Sequence, residues 1–199
     1  MRTGKRLAVI LMTLLLCSEL IGCSGMATPR QEIQAPRLNP ALLQILCSLA
    51  KGHKNKTQLA FLADFKGLCA PVKKFNRYMS SSQGQLLRQL KAWAEKHHVK
   101  LHYVYRPGLF GQAQKIINHD EGGLLLHSNA ADFQKRYLIM MYMDYSWQLA
   151  MDKAAHKQAR THHAGPGLMA YLDHATAVNK QSLTDLWQLL QHYHWQKGT

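Results

Sequence analysis

An all-α four-helix bundle is the fold this chain predicts, and three observations carry the prediction. Apolar residues recur at three- and four-residue spacing in four separate segments. The second and third segments are separated by about thirty residues, where helix–helix connections usually take only a few. Strand-type alternation of useful length is missing apart from the short run 100–105.

The elements follow in order. Leu42, Leu43, Ile45, Leu46 and Leu49 form a short apolar helix, and residues 59–65 continue or restart it. The polar stretch Gly52-His53-Lys54-Asn55-Lys56 between them is able to turn. A second helix begins after Pro71, with Val72, Met79, Leu86 and Trp93 falling every seven residues and Phe75, Leu90 and His97 beside them. A third runs from about Ala130 to Arg160, with Phe133, Tyr137, Met140, Met141, Trp147 and Met151 on one side. The breaker Gly165-Pro166-Gly167 precedes a fourth, striped by Leu168, Leu172, Ala175, Leu183, Leu186 and Leu190. Two helical hairpins joined by one long crossover is the connectivity of ferritin-like bundles, and that architecture is expected for residues 39–199.

The N-terminus carries an address. Arg2, Lys5 and Arg6 precede an almost wholly apolar run from Leu7 to Leu16, which is too short for a spanning helix. Leu20-Ile21-Gly22-Cys23 then resembles the bacterial lipobox, which implies a signal peptide over residues 1–22 and a diacylglyceryl thioether on Cys23. Several acyl chains give stable anchoring where one gives only marginal binding. Ser24 in place of an aspartate implies export to the outer membrane, facing the periplasm from its inner leaflet. Residues 23–38 contain Pro29 and Pro36 among small and polar residues and read as a tether.

The whole chain has a formal charge of +14. The signal takes with it three bases and one acid (Glu19), so the mature chain keeps an excess of +12. Anionic envelope polymers and lipid head groups suit this charge, and a periplasmic address excludes nucleic acid as the natural partner. Of the four cysteines, Cys17 leaves with the signal and Cys23 carries lipid. Cys47 and Cys69 remain in an oxidising compartment, where a disulfide is expected. That bond needs a chain reversal near residues 52–56, because one straight helix would hold the pair roughly 33 Å apart.

Several motifs resemble the bacterial envelope family known as domain-of-unknown-function family 4142, which has a ferritin-like fold. Leu62-Ala63, Lys66 and Val72-Lys73-Lys74-Phe75 match that family's first hairpin. The family continues with Met-x-x-Asp-His, where this chain has Met79-Ser80-Ser81-Ser82-Gln83. In the second half it carries Phe-Asp, Tyr, a Met pair and Asp-His, matched here by Phe133-Gln134, Tyr137, Met140-Met141 and Asp144-Tyr145. Both histidines are thus replaced, by Gln83 and Tyr145, and the first aspartate by Ser82. An amide and a phenol are poor ligands for a transition metal, so no cofactor is expected. Ser82, Gln83, Asp144 and Tyr145 are instead expected to form a relic polar cluster, with the Gln83 amide bonded to Asp144 or Tyr145, the equal alternative being that Asp144 sits at the edge of its stripe and reaches solvent.

Catalytic signatures are thin. A di-iron centre needs four glutamates and two Glu-x-x-His pairs, and the mature chain has only Glu32, Glu95 and Glu121. Glu95-Lys96-His97-His98 is a single copy at a helix end. His97, His98 and His102, with His162-His163 and His192 and His194, are the weak metal candidates, and exposed helix ends account for them equally simply. Nucleophile elbows and phosphate loops are missing. The expected function is a lipid-anchored, periplasm-facing bundle in a non-catalytic binding or envelope-maintenance role. The alternative is a metal-binding or stress-related bundle using the histidine clusters.

Overall fold

The computed structural model describes residues 38–103, 123, 125 and 127–192. Among them are four long helices and no strand: α1 (Pro40–Asp64), α2 (Ala70–Lys96), α3 (Ala130–Thr161) and α4 (Pro166–His192). The signal segment, Cys23, most of the tether, residues 104–122 and His194 lie outside the described residues.

Local chemistry sets the helix ends. Asn39 caps α1, its Oδ1 accepting from the N–H groups of Ala41 and Leu42 at 2.8 and 3.4 Å, and Pro40 opens the helix where no N–H is needed. Asn129 caps α3 through the Asp132 N–H at 2.9 Å, and Asp132 adds a negative charge to that first turn. α2 and α3 both stop on a His-His pair. His98 and His163 adopt φ of +54° and +50°, the left-handed conformation usually given to glycine. The amides of Val99 and Ala164 then reach back to Ala94 and Ala159 at 2.7 and 2.8 Å, closing each helix with a Schellman motif. These histidine pairs are therefore backbone stops.

α1 packs on α2 and α3, and α4 packs on the same two. Asn39 Nδ2 lies 2.8 Å from His162 Nε2, joining the start of α1 to the end of α3, and Gly167 at the start of α4 abuts the Trp93 ring near the end of α2. This is the near end of the bundle. At the far end the Cys69 N–H donates to Gln134 Oε1 at 2.6 Å. α1 and α4 hence run from near to far, and α2 and α3 run from far to near. One crossover links the two hairpins, since α2 finishes at the near end and α3 starts at the far one.

The first helix corrects the sequence expectation. α1 is continuous through Gly52-His53-Lys54-Asn55-Lys56, where a turn was expected, because Leu46, Leu49, His53, Lys56, Ala60 and Ala63 are one unbroken buried face at alternating three- and four-residue steps. With no reversal, Cys47 and Cys69 cannot approach each other, and both are free thiols. Trp147 is a second correction. It is 48 % exposed, since the buried face of α3 passes through Met141, Tyr145, Gln148 and Asp152 and leaves the residue beside Gln148 turned outward.

Candidate functional site

The core is two apolar clusters with a polar layer between them. Toward the near end, Leu42, Leu46, Leu49, Leu86, Leu90, Ala155 and Leu172 are packed together. Toward the far end, Val72, Phe75, Met79, Phe133, Tyr137 and Met141 form the other cluster. Each of these larger apolar side chains contributes roughly 1.5–3 kcal/mol by leaving water. Between them lie His53 and Lys56 of α1, Gln83 of α2, Gln148 and Asp152 of α3, and Asn179 of α4, none more than 3 % exposed.

A polar group buried without a partner costs about 1–3 kcal/mol, so the layer depends on the bonds its members make with one another, and Asp152 Oδ1 is the atom in it left buried without one. The Tyr171 hydroxyl lies 2.8 Å from His53 Nε2, and His53 Nδ1 lies 2.6 Å from Gln83 Oε1. Gln83 Nε2 donates to Asn179 Oδ1 at 3.1 Å, and Asn179 Nδ2 donates to Asp152 Oδ2 at 2.7 Å. The direction of this chain follows from its carboxylate end. Asp152 accepts from Asn179, Asn179 from Gln83, and Gln83 from a proton on His53 Nδ1, which leaves Nε2 to accept from Tyr171. Gln148 Oε1 accepts from Lys56, so its Nε2, 2.9 Å from Nδ1, is a second donor facing that nitrogen and makes no hydrogen bond with it while Nδ1 carries the proton. All four helices contribute.

Electrostatics reinforce the assignment. Burial lowers the His53 pKa to about 3, with the Lys56 charge adding to the effect against the opposing Gln83 hydrogen bond, so the imidazole is neutral. Burial raises Asp152 to about 6, against the opposing influence of Asn179 and of Lys56. Lys56 itself is 1 % exposed and bonds Asp144 Oδ2 at 2.6 Å, with its ammonium 5.0 Å from the Tyr145 ring centre. Asp144 is the layer's outlet to solvent. Burial also pushes the Tyr145 and Tyr137 hydroxyls far above the usual phenol range. Farther along, Asn76 Nδ2 bonds both Ala60 O and Asp64 Oδ1 at 2.9 Å while its Oδ1 accepts from Tyr137.

No protein-family model, curated protein or solved structure matches the chain. The resemblance to the 4142 family accordingly rests on the motifs quoted above, and the layer has to be judged by its own chemistry.

The expected relic cluster is partly displaced. Gln83 and Tyr145 are buried, but Gln83 bonds His53 and Asn179 in place of Asp144 or Tyr145. Asp144 is 42 % exposed and does not face Gln83, and Ser82 Oγ bonds Met79 O within its own helix at 3.2 Å. The residues that matter most, His53, Lys56, Gln148, Asp152 and Asn179, were not among the expected ones. Their signal was the helical register itself, which places each of them on the apolar seam of its helix.

A di-metal centre of the kind a ferritin-like fold implies does not fit this layer. Both ring nitrogens of His53 already have hydrogen-bond partners, and a lysine ammonium occupies the interior. Among the described residues no three His, Cys, Asp or Glu side chains converge as ligands. His97, His98 and His102 do not converge either. His97 packs its ring 5.0 Å from Trp93, His98 supplies a helix stop, and His102 is exposed, its N–H bonded to Cys47 Sγ at 3.3 Å.

The surface differs from the interior in one respect. Ile139, Met143 and Trp147 are exposed at four-residue steps on α3, Met143 by 63 %. Phe61, Leu62 and Phe65 at the end of α1 are also exposed, as is Trp187, whose ring lies 5.9 Å from Tyr142. Among the described residues no helix is long and apolar enough to cross a membrane.

Proposed function

We propose that this protein is a lipid-anchored bundle, held at the periplasmic face of the outer membrane through Cys23, that works as a binding or envelope-maintenance module. The observation that carries the reading is the polar layer whose imidazole, amides and ammonium bond one another. The buried oxygens left without a partner beside them, Asp152 Oδ1 and the Tyr145 hydroxyl, do not converge with other His, Cys, Asp or Glu side chains as a ligand set among the described residues. That leaves the surface as the working part, and the exposed row Ile139, Met143 and Trp147 is the kind of apolar feature that partners cover. The lipobox Leu20-Ile21-Gly22-Cys23 supports the anchor.

Metabolic labelling with a fatty-acid analogue tests the anchor: the chain should be labelled, and Cys23→Ala should abolish the label. An unlabelled wild-type chain would refute the anchored reading. Metal analysis of protein purified without an affinity tag tests the binding-module reading. Stoichiometric metal that disappears in His98→Ala or His102→Ala would replace it with a metal-binding one.

A further inference from the structure

The net charge of the bundle is carried by one hairpin. Residues 40–96, which make α1 and α2, contain ten Lys and Arg against two Asp and Glu. Residues 130–192, which make α3 and α4, contain six against five, so the formal excess is +8 on the first hairpin and +1 on the second. Within the first hairpin, cations from both helices meet on one ring. Lys54 of α1 and Lys91 of α2 hold their ammonium groups 5.7 and 5.4 Å from the centre of the Tyr103 ring. Arg88, one turn before Lys91, joins them. A Cβ at Gly84 would sit 3.6 Å from Arg88 Nη1 and 3.9 Å from Thr57 Cγ2, so the guanidinium lies on the bare backbone of α2 on the side turned to α1. Arg88 and Lys91 are exposed and Lys54 is half-buried. The two acids of the hairpin do not cancel this cluster. Asp64 lies ten residues beyond Lys54 and accepts from Asn76 at 2.9 Å, and Glu95, one turn beyond Lys91, leaves an excess of at least two positive charges.

We infer that Lys54, Arg88 and Lys91 form a binding site for a phosphate monoester group, with the Tyr103 ring as its wall. The inference deepens the binding-module reading and rests on it, since it names what this part of the surface takes. Like charges drawn to one ring repel each other, and the aromatic face offsets only about 0.5–1 kcal/mol for each exposed cation. A dianion held between them turns that repulsion into attraction. A phosphate monoester carries about −1.5 to −2 at neutral pH together with three strong acceptor oxygens, whereas a carboxylate or a phosphodiester carries a single charge. The Arg88 guanidinium offers a planar fork that takes two of those oxygens at once, and the lysines act as point charges on the third. The group can belong to a membrane lipid or to a soluble phosphorylated molecule, and the chemistry of recognition is the same for both. Lys73 and Arg77, farther along α2, are exposed bases of the same hairpin outside the cluster and serve as its control.

Isothermal titration of the full chain in a neutral detergent decides this. Glycerol 3-phosphate at low salt should bind saturably and one to one, and the binding should weaken as salt is raised. It should be at least about threefold tighter than that of acetate or of the diester glycerophosphoglycerol. Lys54→Gln, Arg88→Gln and Lys91→Gln should each weaken binding about threefold, and the triple variant about thirtyfold, with helicity showing that all remain folded. Lys73→Gln combined with Arg77→Gln should leave binding within about twofold. Phosphatidic acid mixed into the same micelles distinguishes the sources. Affinity at least about tenfold above that of glycerol 3-phosphate marks a lipid-borne group, and equal or weaker affinity marks a soluble phosphorylated ligand; both uphold the site. No saturable binding, a triple variant that binds like wild type, an equal loss from the Lys73 and Arg77 pair, or acetate binding as tightly as the monoester would each overturn the inference. The titration reads a soluble probe whether or not Cys23 carries lipid, so its failure is distinct from failure of Cys23 labelling.

Discussion

Lys56 Nζ lies 2.6 Å from Asp144 Oδ2, joining an ammonium that is 1 % exposed to a carboxylate that is 42 % exposed. The pair is the only described ion pair that leads from the polar layer to the surface. It explains how a lysine is tolerated on the buried seam of α1: the stem is packed in the interior and the charge is answered at the rim. Asp144→Asn removes that answer and strands the ammonium. Its urea midpoint should fall by an amount equivalent to about 1–3 kcal/mol, whereas Lys56→Met, which removes charge and keeps volume, should cost less. The opposite ranking would show that the pair is not what accommodates Lys56.

Stability should depend on pH through two opposing groups. His53 is held neutral, with its folded pKa lowered from 6.5 to about 3, so its contribution is complete above pH 6.5 and is lost as pH falls toward 3. Asp152 is raised from 3.8 to about 6, so the folded state holds this proton more firmly and the penalty of ionisation develops as pH rises from 3.8 to 6. Between pH 4 and 6 the two oppose each other, each on the scale of about 2–5 kcal/mol. Denaturant titrations should therefore show steeper acid destabilisation in Asp152→Asn than in wild type. In His53→Gln stability should fall, not rise, with increasing pH over that interval.

The amide relay is the most exacting part of the layer. Gln83→Leu removes the acceptor for His53 Nδ1 and the donor for Asn179 Oδ1, leaving two buried polar groups unanswered. The expected loss is about 2–4 kcal/mol, larger than that of an apolar substitution of equal volume. A midpoint shift near zero would mean that the layer re-forms around the leucine.

The histidine stops make a prediction of opposite sign. His98 and His163 hold left-handed backbone that costs a side-chain-bearing residue about 1 kcal/mol. His98→Gly and His163→Gly should each raise stability by about 0.5–1 kcal/mol. Thermal melts of the single and double variants measure this directly, and a fall in Tm would show that the imidazoles do more than end helices.

Much of the fold was legible because helix formation is periodic. Val72, Met79, Leu86 and Trp93 mark the seam of α2, and the bounds of α3 differ from expectation by one residue. The polar layer was not legible in the same way. A polar residue on an apolar seam has the same local signature whether it marks a turn, an exposed edge or a buried bond, and only the facing helices distinguish these. His53 and Lys56 looked like part of a turn for that reason. Asp144, seven residues from Tyr137 and from Met151, lies on their side of α3, yet its carboxylate is 42 % exposed and meets Lys56 at the rim.

The sequence by itself determined the four helices, the long link between the hairpins and the basic charge, since each is written in local composition and spacing. Only the tertiary structure decided which polar residues pair inside the bundle, that Cys47 and Cys69 stay apart, and that exposed apolar groups gather away from the end where α1 begins. Those outcomes depend on residues as much as 123 positions apart, as with Asn39 and His162, and the energy of a buried hydrogen bond exists only once both of its partners are in place.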